Sequence, residues 1–402
     1  MPLLEKATHQ QTRTYNSQLV LRTVYDRPEV SRADIARLTG LTRTSVSDLV
    51  AELIEAGLVE ETGRGPSSGG KAPILLRVAP TGRHVIGLDL GDDPFAGVLV
   101  DLRGRILRSA ARPLDGRDGE AALGVVYELL DELIAGRDRP LLGIGIGAPG
   151  VIDAGTGTVR WAVNLDWTDL PLASLVGERF GVPVHVGNDS QAAALAEYTF
   201  GDTPRPDNLV VIKVGRGIGA GLVIGGRLYT GDGSGAGEIG HTTVVEGGEP
   251  CRCGSVGCLE TVASVRAILL RARHLAQRHP ESALAAALAP GGPGLGPEAI
   301  AAAFAAGDDV ARTVVLDAAR HLGRSIAWLV GALNVRRVRI VGEVAAFGDA
   351  WLDAVRHEAR DRALALLAQE TDIAFGRTHA GTGVLGASAL LMTNELGLSL
   401  AR

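Results

Sequence analysis

The chain has 402 residues, 46% of them hydrophobic and 4% aromatic, with 54 glycines, a length beyond one ordinary core and suited to two or three domains. This composition excludes a disordered, collagen-like or disulfide-stapled chain. The net charge of −6 excludes bulk electrostatics as a reason to bind nucleic acid; residues 1–80, with ten basic and nine acidic side chains, are nearly neutral, so the deficit lies in the remainder.

The first sixteen residues are polar and lack the apolar run of a signal peptide. The longest apolar stretches, such as 326–335, fall far short of the ~20 residues a membrane helix needs, so a cytoplasmic protein without a membrane partner is expected. From Asn16 the pattern predicts three helices and a hairpin. Ser31-Arg32-Ala33-Asp34 has the form of a capping box and opens a helix over 32–38. Gly40 supplies the positive φ of a tight turn, and Thr42 caps the next helix. There Val46, Leu49, Val50, Leu53 and Ile54 recur at helical spacing and predict one apolar face. The opposite face carries Arg43, Thr44, Ser45, Ser47 and Asp48. Short hydroxyls and an arginine at a helix amino terminus suit phosphate contact and a place in the major groove. Gly57 ends the helix. Strands are predicted at 58–61 and 74–78, around a Gly/Ser/Pro loop in which Arg64 and Lys71 would touch a DNA backbone as a wing does. With Ser31, Arg32 and Thr42 these complete the candidate DNA-contacting set; periodicity alone leaves open a helical protein-interaction module.

After Pro80 the pattern changes to strands and glycine turns. Runs at 84–90 and 96–102, and again at 209–214 and 222–228, form two strand–turn–strand units, which points to an internal duplication. The three cysteines, Cys251, Cys253 and Cys258, lie within one eight-residue window beside His241. One imidazole and three thiolates make a closed tetrahedral Zn²⁺ shell with no position left for a reacting water, so a structural zinc is predicted. Asn188-Asp189 follows a strand predicted at 182–186 and precedes a helix predicted at 191–198, the usual ligand rim of an open α/β sheet. Glu238 and Glu260 flank the cysteine motif, and Asn164 lies in a Trp161-to-Trp167 segment.

The stretch SRADIARLTGLTRTSVSDLVAELIEAGLVEE with its Gly-rich wing resembles the winged helix-turn-helix at the front of the repressor branch of the ROK family (repressors, open reading frames and sugar kinases). GEIGHTTVVEGGEPCRCGSVGCLE is similar to that family's zinc signature. The resemblance spans essentially the whole chain. It implies an α/β protein: a winged helix-turn-helix over 1–80, then a two-lobed, actin-like sugar-kinase domain over 81–402 with its zinc motif at 238–260. It further implies that Asn188, Asp189, Glu238, His241 and Glu260 contact sugar hydroxyls, that Asn164 stands on the same cleft wall, and that Asp189 is the catalytic base if kinase activity is retained. Operator DNA, a sugar or sugar phosphate effector, and a homodimer or homotetramer are the implied partners.

Two departures from the kinases bear on activity. Their first phosphate loop matches Asp89-Leu90-Gly91-Asp92-Asp93-Pro94, where two carboxylates and a proline replace a small residue and a threonine. A carboxylate ~5 Å from a phosphate costs about 3 kcal/mol at an effective dielectric of ~20, which sets the two against ATP unless Mg²⁺ intervenes and makes ATP/Mg²⁺ a doubtful cofactor. Ile340-Val341-Gly342-Glu343-Val344 stands where the kinases place glycines against the adenosine, and Glu343 adds bulk and charge. The remaining loop, Gly215-Arg216-Gly217-Ile218-Gly219-Ala220-Gly221, keeps its glycines. A sugar-responsive repressor with an intact sugar pocket is therefore expected, the alternative being an ATP-dependent sugar kinase with a regulatory head.

Overall fold

The computed structural model describes residues 9–66, 72–201, 206–289, 294–378 and 381–397. Three helices open it, His9–Tyr25, Arg32–Thr39 and Arg43–Glu55. The first begins before Asn16, on polar residues that carry no apolar period to mark them. Ser31 caps the second helix, its Oγ accepting from the Asp34 amide at 3.2 Å, but the returning acid meets the hydroxyl at 2.7 Å in place of the backbone amide. Gly40 closes the turn at φ 73°, and Thr42 caps the third helix by accepting from the Ser45 amide. Val46, Leu49, Val50 and Leu53 are buried, with Ile54 half-buried at the edge of the same face. Strand Val59–Arg64 outruns its predicted end because a bulge between Glu61 and Gly63 lets it continue pairing with Ile74–Val78. The two-residue strand Val30–Ser31 pairs with the other edge of Ile74–Val78.

Two five-stranded sheets follow, and they repeat one topology. In the first, His84–Asp89 pairs antiparallel with Phe95–Val100 and parallel with Leu141–Ala148; Ile106–Arg112 and Val184–Asn188 form the edges. In the second, Leu209–Val214 pairs antiparallel with Ile218–Ile224 and parallel with Arg337–Val341, with Arg227–Tyr229 and Asp372–Phe375 outside. The duplication read from the sequence is thus realised strand for strand. Its second hairpin differs from expectation: the strand starts at Ile218, and the run 222–228 is broken by a turn at Gly225 and Gly226, both at positive φ. Gly219 and Gly221 belong to the strand because helix Asp189–Phe200 passes too close for side chains; a Cβ on Gly221 would lie 2.5 Å from the Ser190 carbonyl oxygen.

Two helices join the lobes, Asp189–Phe200 and the C-terminal Thr382–Leu396, and they pack on each other. Gly386 sets their approach: a Cβ there would lie 2.0 Å from the Ala192 carbonyl oxygen. Replacing glycine by alanine in an exposed helix stabilises by about 1 kcal/mol, whereas forcing atoms into a packed interior costs about 1–3 kcal/mol. Gly386→Ala is therefore expected to lower the thermal midpoint, as a melting curve would read directly.

The amino-terminal head does not hang from a tether. One apolar cluster runs through Val20, Val24 and Leu53 of the head, Val98 and Leu102 of the first lobe, and Leu396 of the C-terminal helix. Arg103 lies 4.5 Å over the Tyr25 ring and donates to its carbonyl at 2.6 Å, and Arg83 donates to the Ala56 carbonyl. Among the described residues, no helix is long and apolar enough to cross a membrane.

Candidate functional site

The carboxyl ends of the central strands face each other across the cleft between the lobes, where side chains at strand ends meet a ligand. Asn188 is the last residue of its strand and the cap of the following helix, its Oδ1 accepting from the Ser190 and Gln191 amides. This cap starts the helix at Asp189, two residues before the predicted position. The Asn188 amide group donates to the Gly150 carbonyl at 3.0 Å and to Glu238 at 3.3 Å. Asp189 Oδ1 accepts from the Ser190 amide, and its Oδ2 accepts from Lys213 Nζ at 2.9 Å.

All six residues proposed for sugar contact, Asn164, Asn188, Asp189, Glu238, His241 and Glu260, line one cavity of about 180 Å³. Burial, reinforced by the Asp189 and Glu260 charges, pushes the Glu238 carboxyl up to about 7. Glu260 accepts from the Ile218 amide at 3.1 Å, which ties the cysteine loop to the second sheet. Three further lining residues escaped the sequence reading. Trp161, 46% exposed, offers an aromatic surface, Arg252 donates to Asn164 across the mouth, and Lys213 stands at the inner end. A lysine in the wholly buried strand Leu209–Val214 was the signal available for the last.

His241, Cys251, Cys253 and Cys258 place one donor atom each within 4.8 Å of one another and could hold a metal ion. Cys253 Sγ and Cys258 Sγ are 3.7 Å apart, and His241 Nδ1 is 3.5 Å from Cys251 Sγ. A tetrahedral shell with bonds of ~2.3 Å to sulfur and ~2.0 Å to nitrogen has edges of about 3.8 and 3.5 Å, so the donors fit such an ion. Nε2 of His241, the nitrogen turned away from the thiols, lies 4.0 Å from Glu238 Oε2 in the cavity wall.

A second chamber of about 390 Å³ adjoins the first across Lys213 and Asp92. It is walled by Ile340, Val341, Ala345, Phe375 and Glu343. The Glu343 carboxyl is raised by burial and by the Asp92 and Glu298 charges. The expected pair of repelling carboxylates needs correction. Asp93 turns away to accept from the Leu114 amide at 2.9 Å, while Asp92 stays in the cleft, 3.1 Å from Lys213 Nζ. The charge opposing a phosphate is therefore Asp89, Asp92 and Asp189 against one ammonium.

On the head, Thr42, Arg43, Thr44 and Ser47 are exposed and Ser45 is half-buried. Arg64 is exposed at the end of its strand, and neither arginine is paired with a carboxylate among the described residues. Two members of the proposed DNA-contacting set are committed elsewhere: Ser31 is buried as the cap, and Arg32 is paired with Glu61 at 2.9 Å. Lys71 lies outside the described residues.

A docked winged helix-turn-helix and a duplicated α/β cleft beside a Cys₃His cluster define a DNA-binding head on a sugar-kinase-like body. The family model described as ROK family matches residues 85–394, and one described as MarR family matches 14–67. The chain belongs to the ROK family. It is 33% identical over 392 residues to the xylose repressor of Caldicellulosiruptor bescii, covering 96% of this chain and 98% of that one. Among solved structures, a ROK family transcriptional regulator homologous to the E. coli Mlc protein superposes with a TM-score of 0.83 at 28% identity, covering 96% of this chain and 98% of that one. A ROK family glucokinase from Streptomyces griseus, in complex with glucose and AMPPNP, superposes with a TM-score of 0.71 at 32% identity, covering 76% of this chain and 98% of that one.

Proposed function

We propose that the protein is a sugar-responsive transcriptional repressor that binds operator DNA through Thr42, Arg43, Thr44, Ser45, Ser47 and the wing, and a neutral sugar in the 180 Å³ cavity. The observation that carries this reading is the sharing of one apolar core by the head, the first lobe and the C-terminal helix, so that the cleft and the DNA-binding face belong to one packed body. Asp189, Glu238 and Glu260 accept from sugar hydroxyls, Asn164 and Asn188 set the walls, and Trp161 faces the C–H side of the ring. The Cys₃His shell holds zinc, as its donor chemistry and closed geometry favour, and keeps His241 and Glu260 in register. Two copies in a homodimer would bring two heads to a pseudo-palindrome.

The sugar is unphosphorylated, because an anion ~5 Å from the cluster meets about 3 kcal/mol of repulsion from each of three carboxylates against the same attraction from Lys213. The same imbalance disfavours ATP in the 390 Å³ chamber, although its walls remain open. Calorimetric titration with D-xylose, D-glucose and N-acetyl-D-glucosamine, beside glucose 6-phosphate and N-acetylglucosamine 6-phosphate, tests this. A neutral sugar is expected to bind at least about tenfold more tightly than its phosphate, a difference of ~1.4 kcal/mol. Tighter binding of a phosphate would overturn the neutral-sugar assignment, and ATP-dependent turnover above ~1 s⁻¹ would favour the kinase reading.

A further inference from the structure

Lys213 is 8% exposed, in a strand whose six residues are all buried. Its ammonium meets three carboxylates: Asp189 Oδ2 at 2.9 Å, Asp92 Oδ2 at 3.1 Å and Asp89 Oδ1 at 3.5 Å. An ammonium has three N–H donors; here Asp189 and Asp89 accept from it, and Asp92 stands beside it as an ion-pair partner. They come from separate places in the chain: a strand end of the first sheet, the turn after it, and the first residue of a lobe-joining helix. The lysine comes from the second sheet, so the cluster closes across the cleft.

The surrounding backbone is cleared for it. A Cβ on Gly91 would stand 2.2 Å from Asp189 Oδ2 and 2.6 Å from Lys213 Nζ, and one on Gly383 would stand 1.6 Å from Asp89 Oδ2. Burial disfavours the ammonium, yet the Asp189, Asp89 and Asp92 charges outweigh it and hold the lysine charged well above its ordinary range. Burial also raises the Asp89 carboxyl, against the pull of Lys213.

We infer that Lys213 is a built-in cation: a positioning residue that supplies, from within the chain, the positive charge these three carboxylates require, in the space a dissociable divalent ion would otherwise fill. The inference rests on the reading of the cleft as a binding site. Asp189 is then a fixed acceptor, one oxygen held by Lys213 and the other by the Ser190 amide, and ligand binding needs no free divalent cation. Three oxygen donors left without the lysine make a hard-cation site.

Mn²⁺ titrated into the zinc-loaded full-length protein, followed by loss of its free electron-paramagnetic signal, tests this without any sugar. Failure here is therefore distinguishable from failure of the sugar reading. Wild type is expected to take up no cleft Mn²⁺, whereas Lys213→Met binds it at least about tenfold more tightly than wild type, and adding Asp92→Asn abolishes the gain, as a carboxylate site requires. Equal uptake by wild type and Lys213→Met, or a gain that survives Asp92→Asn, would overturn the inference. Because stripping the ammonium from three acids can itself unfold the chain, melting of Lys213→Met and of the Lys213→Met/Asp92→Asn double variant is read alongside. The double variant is expected to melt higher than the single one, and a further fall would count against the inference.

Discussion

Cys253→Ala is expected to lose the bound metal and most of the affinity for sugar while leaving the DNA-binding head folded. Cys251 and Cys258 are buried, and His241 turns Nδ1 to the thiols while its other nitrogen lies 4.0 Å from Glu238. The loop between them is threaded tightly: a Cβ on Gly257 would lie 1.8 Å from the Val245 carbonyl oxygen, and Leu259 donates to the Thr242 carbonyl just before Glu260. Without an ion, the thiols and imidazole have nothing to draw them together, and the two carboxylates they position lose their frame. Structural zinc contributes about 10–16 kcal/mol in isolated fingers; in a loop buttressed by a large core, several kcal/mol is the reasonable share. Metal content by mass spectrometry, melting, and sugar calorimetry on the same preparation read the three effects. Sugar bound stoichiometrically by metal-free protein would contradict the assigned role of the ion.

Arg43→Ala is expected to weaken operator binding about ten- to a hundredfold, with a salt slope lower by about one for each head engaged, as the loss of a phosphate-contacting arginine does. Arg43 is the first residue of its helix and exposed, so its charge adds to the positive end of the helix dipole where an anion would lie. With Arg32 held by Glu61 and Ser31 buried in its cap, fewer groups remain to share the phosphate contacts. Sugar affinity measured off DNA is expected to stay unchanged, since Arg43 is not among the cleft-lining residues. A duplex selected by the wild type from a random pool provides the titrant; an unchanged DNA affinity would remove this helix from the interface.

What was legible in the sequence was local. The Ser31 and Thr42 caps, the Gly40 turn and the Cys₃His cluster each declare themselves within eighteen residues or fewer, where propensity and donor chemistry act. The site beyond the metal depended on distant segments. Asp89, Asp189 and Lys213 are adjacent only because two sheets with one topology face each other, and a lysine in an apolar strand signals a partner without naming it. Which of Asp92 and Asp93 enters the cleft is decided by a single amide, that of Leu114. The glycines of 215–221 read as one loop, yet Gly219 and Gly221 lie in a strand that the neighbouring helix keeps bare. The union of head and lobe was equally out of reach, because it is sealed by Leu391, Met392 and Leu396 from the far end of the chain.

That union fixes the route by which a ligand can act. The C-terminal helix borders the cleft at Gly383, beside Asp89, and ends in the apolar cluster of the head. A sugar that favours one lobe arrangement therefore biases the same body that presents the recognition helix, by no more than its differential affinity. The most direct measurement is fluorescence anisotropy of the selected duplex with wild type and Asp189→Ala, at fixed salt, with and without the neutral sugar found by calorimetry. Asp189→Ala is expected to bind the duplex as wild type does in the absence of sugar and to show none of the sugar-dependent shift, about 5–150-fold for a typical coupling, that wild type shows. A variant that still responds at wild-type sugar concentrations would place the sensor outside this cleft.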